Sequence, residues 1–131
     1  MVKTILKYLQ NTKDQCLIYG EPDLKLEGFT DSSFESDRDD SKSVSGFVFT
    51  LNGGAICWKS SKQNTVADSV CKSEYIVASN IAKEAVWLWK FLDELGVASF
   101  LDGPVPLYCD STGAIAQSKE PRSHHRTKHI L

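Results

Sequence analysis

The feature that most constrains this chain is a long stretch, Ser69 to Leu95, that contains neither Gly nor Pro. Inside it, apolar residues recur three or four positions apart and therefore share one face of a helix. These residues are Val77, Ile81, Ala85, Leu88, Leu92 and Leu95. Gly96 follows directly, as expected where a helix stops. A helix with one apolar face has to bury that face against a second layer of structure.

The sequence before this helix predicts that the second layer is a sheet. Strand patterns rich in β-branched and aromatic residues span Leu24–Asp31, Val44–Leu51 and Ala55–Ser60. The last two flank an Asn-Gly-Gly hairpin turn at residues 52–54, so an antiparallel meander is predicted. Gly28 in the first strand indicates a bulge or a close backbone approach. After the helix, a fourth strand is predicted at residues 105–110 and a short helix at 111–119.

Composition limits the chain to one globular domain. It has 131 residues, of which 41% are apolar and 24% charged, and a net charge of −2. This balance excludes a generally basic partner of nucleic acid, although a locally basic groove is compatible with it. The four cysteines form no C-x-x-C pair and have no zinc-ligand spacing with histidine, which predicts free thiols.

The N-terminal region is predicted to be a leader over residues 1–20, followed by the domain over residues 21–131. In the leader, Val2 to Leu9 has the apolar pattern of a helix and Cys16 to Tyr19 is strand-like. Two lysines interrupt the first apolar pattern, so we expect no signal peptide and an intracellular protein that is not secreted. No apolar run approaches the roughly 20 residues of a membrane span, so no membrane partner is expected.

Three acidic residues stand where an apolar environment is predicted. Asp31 and Asp110 each end a strand. Glu74 lies on the same helix face as Ile81 and Ala85, where a carboxylate needs a cation or another form of compensation. A divalent metal ion held among the three acids would remove their mutual repulsion. Oxygen ligands without His or Cys favour Mg²⁺ or Mn²⁺ over zinc.

Each of these acids also has a plain structural interpretation. An Asp at the end of a strand commonly belongs to a turn or caps a helix. A Glu in the first turns of a helix interacts favourably with the helix dipole. Both interpretations stay open for each residue taken alone, and the metal hypothesis depends on the three carboxylates meeting in one place.

A series of motifs, in the same order along the chain, resembles one family. They are GFTDS (28–32), DDSKSVSGFVF (39–49), GGAI and WKS (53–60), KQ (62–63), SEYI (73–76) and YCD (108–110). Together they resemble the ribonuclease H domain of copia-type retrotransposon Pol polyproteins, particularly those of plants, over nearly the whole chain. Residues 1–20 are similar to the connection between reverse transcriptase and that domain.

The resemblance implies an α/β fold of the RNase H-like type, a mixed sheet with antiparallel strands 1-2-3, a parallel strand 4 and flanking helices. It implies hydrolysis of the RNA strand of RNA–DNA hybrids by two divalent ions, Mg²⁺ or Mn²⁺, held by a D-E-D-D set of acids. Asp31, Glu74 and Asp110 match the first three acids and would be catalytic metal ligands. The implied partners are an RNA–DNA hybrid and the reverse transcriptase domain of the same polyprotein.

The chain departs from this family at three positions. It stops at Leu131, and the fifth strand, the last helix and the fourth Asp of the family would lie beyond that point, so we expect them to be absent. Lys72 stands where a second Glu is common, and Ser111 stands where Asn is frequent. A second hypothesis is therefore a catalytically inactive RNase H-like fragment, either a binding module or a transposon relic. An exposed sheet edge beside strand 4 also predicts possible self-association.

Two further groups of side chains have a metal-binding alternative. The acidic run over residues 35–40 lacks the Gly and Glu of an EF-hand loop, so a solvated loop is predicted there. The histidines at 124, 125 and 129 would chelate a metal only if their segment is helical. A solvated basic tail, or one that touches phosphates, is the simpler interpretation.

The lysines and aromatic residues are compatible with nucleic-acid binding, and also with ordinary solvation and packing. Lys59, Lys62 and Lys72 either border a groove for the hybrid or are simply solvated. The aromatic residues either stack on bases or pack in the core or against a partner, and at least one of the two helix tryptophans should be partly exposed. They are Trp58, Trp87, Trp89 and Phe91.

Overall fold

A computed structural model of the protein describes residues 2–20, 24–34, 41–101 and 103–120. In chain order, its elements are α1 (Val2–Thr12), β1 (Leu26–Ser33), β2 (Val44–Leu51), β3 (Gly54–Lys62), α2 (Val70–Glu94), β4 (Leu107–Cys109) and α3 (Thr112–Lys119). A short 3-10 turn at Ala98–Phe100 separates α2 from β4. The acidic run and the histidine-rich tail fall outside the described residues, so their predicted roles stay predictions.

The four strands form one mixed sheet in the order β3-β2-β1-β4. β1 pairs antiparallel with β2, β2 pairs antiparallel with β3, and β4 runs parallel to β1. The predicted α/β class and the predicted mixture of three antiparallel strands with one parallel strand are confirmed. In the described part of the chain, β3 and β4 are the two edges of the sheet.

The hairpin between β2 and β3 closes as its sequence predicts. Asn52 and Gly53 have φ angles of 51° and 78°, the left-handed pair that a tight two-residue turn requires. The β1–β2 register runs without a shift from Leu26–Leu51 to Ser33–Val44, so the bulge that was one interpretation of Gly28 is not present in β1. Gly28 instead permits a close approach. A Cβ there would lie 2.7 Å from side-chain atoms of both Leu107 and Phe49.

Helix α2 begins and ends at residues that the sequence indicates. The Ser69 side chain accepts a hydrogen bond from the Lys72 amide at 3.2 Å and caps the N-terminus. At the other end, Gly96 adopts a φ of 73° and turns the chain out of the helix. The predicted apolar face is buried except for Leu95, which is 59% exposed. That expectation was wrong because Leu95 is the C-cap, where the chain already leaves the sheet.

The layer between α2 and the sheet has an apolar half and a polar half. The apolar half consists of Leu26, Phe49, Ile81, Ala85, Leu88 and Leu92. The polar half is made by Ser32, Ser45, Gln63, Ser73 and Glu74, which hydrogen-bond to one another near the N-terminus of α2. The pairing of Leu26 with Leu51 and of Ser32 with Ser45 places the two halves at opposite ends of the β1–β2 ladder.

Helix α1 has the predicted apolar stripe but buries no residue. The predicted strand at Cys16–Tyr19 is wrong, because these residues do not extend the sheet. Tyr19 instead crosses the hairpin, where its hydroxyl donates to the carbonyl oxygen of Ala55 at 2.7 Å. The division at residue 20 stays a prediction. No helix in the described ranges is long and apolar enough to cross a membrane.

Candidate metal centre

Glu74 is the buried acid that the helix pattern predicts. It lies in the first turns of α2 and is only 3% exposed. Neutral hydrogen-bond donors supply part of the compensation that a carboxylate needs at this position. Its Oε1 accepts hydrogen bonds from the backbone amide of Ser32 at 3.2 Å and from the Ser32 hydroxyl at 2.8 Å. These neutral donors reduce the cost of burying the carboxylate.

The end of β4 brings two more ligand groups to Glu74. Ligand atoms of Glu74, Cys109 and Asp110 all lie within 4.8 Å of one another. The parallel pairing of β4 with β1, which aligns Thr30 with Cys109, sets this position. The Cys109 thiol donates to Glu74 Oε2 at 3.9 Å. Two of the three predicted acids therefore meet, together with a cysteine that the sequence analysis did not include.

Helix α3 restricts Asp110 from its other side. Ser111 caps this helix and accepts a hydrogen bond from the Ala114 amide at 3.2 Å. Ala114 is buried, and a Cβ on Gly113 would lie 3.1 Å from the Cys71 sulfur of α2. Asp110 thus sits between a strand paired with β1 and a helix packed against α2. The Ser that replaces the frequent Asn still supplies a helix cap.

Asp31 does not join this group. Among the described residues, the set whose ligand atoms lie mutually within 4.8 Å does not include it. Ser32 points toward α2, and successive strand side chains point to opposite faces, so Asp31 lies on the other face of β1. Its side chain is exposed there. The assignment of Asp31 as a metal ligand stays a prediction.

A series of hydrogen bonds through Gln63, Ser73 and Ser32 ends at Glu74 Oε1. Gln63 Nε2 donates to Ser73 Oγ at 3.2 Å, Ser73 Oγ donates to Ser32 Oγ at 2.9 Å, and Ser32 Oγ donates to Glu74. The sequence analysis includes these residues in the motifs that it compares with a family, but it assigns them no role at the site. Their positions are a further signal: Gln63 directly follows β3, and Ser73 lies on the apolar side of α2 next to Glu74.

The electrostatics of the site keep the Cys109 thiol protonated. Burial raises the pKa of this thiol, and the negative charges of Glu74 and Asp110 raise it further. A neutral thiol is a donor, consistent with its contact to Glu74 Oε2. The two carboxylates come from separate elements and are the type of ligand that a hard divalent cation takes. Glu74 and Asp110 therefore fit one such ion, with Cys109 at its margin.

Three lysines line a groove on the same side of the sheet as α2. The groove has a volume of about 370 Å³ between β3 and α2, and it is lined by Lys59, Lys62 and Lys83 together with one acid, Glu84. Two of the three predicted groove lysines are among them. Lys72 instead donates to Asp68 at 3.1 Å, and this hydrogen bond lowers the pKa of Asp68.

The tryptophans are more exposed than the sequence analysis required. Trp87 and Trp89 of α2 are both exposed, as is Trp58 of β3. Trp87 stacks on Phe91, with ring centroids 5.6 Å apart. The expectation that at least one helix tryptophan is exposed is confirmed, and the base-stacking and partner-surface interpretations stay open.

Three known proteins with similar sequences share one description, that of retrovirus-related Pol polyproteins from plant transposons. The chain is 46% identical over 129 residues to the retrovirus-related Pol polyprotein from transposon TNT 1-94 of Nicotiana tabacum, a match that covers 98% of this chain. It is 34% identical over 130 residues to the Pol polyprotein from transposon RE2 of Arabidopsis thaliana, again over 98% of the chain. Homologues of this chain are retrovirus-related Pol polyproteins of plant transposons. They support a retrotransposon-related function.

The chain corresponds to a small part of these Pol polyproteins, because it spans 10% of the tobacco protein and 9% of the Arabidopsis protein. A shorter similarity, 41% identity over 88 residues, joins it to secreted RxLR effector protein 161 of Plasmopara viticola. That match covers 66% of this chain and 62% of the effector. No protein-family model matches the chain, and no solved structure matches it.

Proposed function

We propose that this chain is a ribonuclease H segment of a copia-type Pol polyprotein and that it hydrolyses the RNA strand of RNA–DNA hybrids. The observation that carries the proposal is the meeting of Glu74 and Asp110 at the end of β4, in a chain whose homologues are Pol polyproteins. The order β3-β2-β1-β4, with only β4 parallel to β1, is compatible with an RNase H-like sheet.

In this proposal, Glu74 and Asp110 hold a divalent cation, Mg²⁺ or Mn²⁺. Such a cation supplies Lewis-acid stabilisation of the charge that develops on phosphate oxygens during hydrolysis. Glu74 contributes Oε2, because its Oε1 already accepts two hydrogen bonds. Asp31 is proposed as a further ligand from its sequence match alone, and its carboxylate would have to reach the site from the other face of β1.

The hybrid is proposed to lie across the lysine groove. Lys59, Lys62 and Lys83 offer positive charge to backbone phosphates on the same side of the sheet as Glu74. Because phosphate contacts carry no base identity, we expect no sequence preference. The proposal also includes a reverse transcriptase domain as partner, an intracellular location and possible self-association at the β4 edge.

The test is hydrolysis of an RNA–DNA hybrid with labelled RNA by the full 131-residue chain in Mg²⁺ or Mn²⁺. Glu74→Gln and Asp110→Asn should each lower the rate on the order of a hundredfold or more, because losing the cation removes several kcal/mol of transition-state stabilisation. Asp31→Asn tests the third assignment. Asp93→Asn, an exposed change on α2, is the control and should act at the wild-type rate.

The position of Asp31 favours one alternative, a catalytically inactive binding module. In that case the chain binds the hybrid without cleaving it, and Mn²⁺ does not bind even near millimolar concentration. Equal hydrolysis rates for the wild type, Glu74→Gln and Asp110→Asn would contradict the nuclease proposal. Cleavage of RNA alone or of a DNA duplex at the same rate would contradict the choice of substrate.

A further inference from the structure

We propose that Gln63, Ser73 and Ser32 are positioning residues that hold Glu74 with Oε1 occupied and Oε2 available to a cation. This inference rests on the proposed function, because the cation is the one proposed there. Their hydrogen bonds lead in sequence from Gln63 through Ser73 and Ser32 to Glu74 Oε1, the carboxylate oxygen that does not contact Cys109. They act through Glu74 and not on the reacting atoms.

The backbone fixes the orientation of the Gln63 amide. Gln63 Nε2 lies 3.1 Å from the carbonyl oxygen of Ser73, and a carbonyl oxygen only accepts hydrogen bonds. The amide nitrogen, not the amide oxygen, must therefore face α2. The same nitrogen also lies 2.7 Å from Ser45 Oγ and 3.2 Å from Ser73 Oγ. Because an amide nitrogen donates two protons and accepts none, Ser73 Oγ cannot direct its own proton toward Gln63.

The direction of every later hydrogen bond follows from that orientation. Ser73 Oγ accepts from Gln63, so its single proton is directed to Ser32 Oγ, 2.9 Å away. Ser32 Oγ then donates its own proton to Glu74 Oε1 at 2.8 Å. The Ser32 amide donates to the same oxygen. Both donors act on Oε1, which leaves Oε2 on the side of Cys109 and Asp110.

Burial is deepest at the Gln63 end of this chain, whereas the two hydrogen bonds of Ser32 Oγ are partly buried. Gln63 is 5% exposed and Ser73 is fully buried, so bulk water has no access to replace a lost partner. The Gln63 Oε1 atom is itself buried without a hydrogen-bond partner in the described part of the chain. The fold thus tolerates an unsatisfied acceptor on one side of this amide while the other side serves Ser45 and Ser73.

The test measures Mn²⁺ affinity by calorimetry on the full chain, so its readout is binding and not hydrolysis. Ser73→Ala should weaken Mn²⁺ binding about tenfold, the usual scale for losing a hydrogen bond behind a metal ligand. Ser79→Ala is the matched control, since it makes the same change on the same helix outside the hydrogen-bond chain. It should change the affinity less than about twofold. Circular dichroism at the assay temperature checks that each variant is folded.

A double variant separates positioning from general destabilisation. Because Ser73 acts through Ser32, Ser32→Ala with Ser73→Ala should bind Mn²⁺ as weakly as Ser32→Ala alone. Additive losses, or wild-type affinity in Ser73→Ala, would overturn the inference while the proposed nuclease activity stands. Mn²⁺ binding that follows the predicted order without hybrid hydrolysis would support the positioning role and contradict the proposed function. A wild-type chain that binds no Mn²⁺ would overturn both.

Discussion

The apolar and polar halves of the layer beneath α2 share β1, β2 and α2, with Gln63 added to the polar half, but they are stabilised differently. In the apolar half, side chains such as Ile81 and Phe49 are fully buried. Their stabilisation comes from the hydrophobic effect, which is non-directional and does not require a specific partner atom. In the polar half, Gln63, Ser73 and Glu74 are buried to a similar extent, and each depends on a specific partner.

This difference shows where stability and chemistry are located in the chain. The apolar half supplies the hydrophobic free energy that keeps α2 on the sheet. The polar half holds a buried carboxylate next to the end of β4, and within the described ranges it leaves the Gln63 amide oxygen buried without a hydrogen-bond partner. The following changes test this division, and each is compared with a control residue of the same or a similar type.

The largest stability effect is expected in the apolar half. Ile81→Ala should lower the free energy of unfolding by about 3 kcal/mol, because it leaves a cavity against the sheet. Val86→Ala, an exposed change on the same helix, should cost less than about 0.5 kcal/mol. Urea unfolding of the two variants measures the difference. Similar midpoints would mean that the apolar half does not carry the stability.

A smaller loss is expected in the polar half. Gln63→Ala removes the donor to Ser45 and Ser73 and should cost about 2 kcal/mol, because buried acceptors lose their partners. The adjacent Asn64 is exposed, and Asn64→Ala should be nearly neutral. The same unfolding experiment applies. If Gln63→Ala left the free energy of unfolding unchanged, water would have to replace the lost hydrogen bonds. The polar half would then not depend on specific partners.

The helix cap isolates the local contribution to the polar half. Ser69→Ala should cost about 1 kcal/mol, because the Lys72 amide loses its acceptor at the start of α2. Ser99→Ala, an exposed change elsewhere, should be silent. Thermal unfolding is the measurement. If Ser69→Ala cost as much as Gln63→Ala, local capping would explain the order of this region without the long-range hydrogen bonds.

The smallest effect concerns the thiol that reports on the two acids. Because the pKa of Cys109 is raised, its alkylation at pH 8 should be slower than that of exposed Cys16 and should accelerate above pH 9. Glu74→Gln or Asp110→Asn removes a nearby negative charge and should speed the Cys109 reaction by about threefold at pH 8. Peptide mass spectrometry follows each cysteine. An unchanged alkylation rate of Cys109 in both variants would show that Glu74 and Asp110 do not lie close to the thiol.

The sequence predicts the apolar half well because its signals are local. The spacing of Val77, Ile81 and Leu88 follows from the helical period, and a capping Ser and a terminating Gly mark the two ends. The hairpin is equally local, since an Asn-Gly pair alone specifies a tight turn. The predicted burial of Leu95 was wrong because the apolar helical period continues to this residue, although α2 already ends there.

The polar half could not be predicted in the same way because its contacts are distant in sequence. Ser32 meets Ser73 and Glu74, 41 and 42 residues further along the chain. The burial of Glu74 follows from its helical position, but its partners depend on the strand register. The same limit applies to Asp31, because a strand-end acid does not reveal in advance which face of the sheet it will occupy.

The convergence of Glu74 and Asp110 on one cation is the central claim, and a crystal structure grown with Mn²⁺ tests it most directly. Anomalous scattering should show a manganese peak in contact with Glu74 Oε2 and an Asp110 carboxylate oxygen, and the peak should vanish in Asp110→Asn. An Asp110 side chain turned away from Glu74, with manganese elsewhere or absent, would contradict the claim.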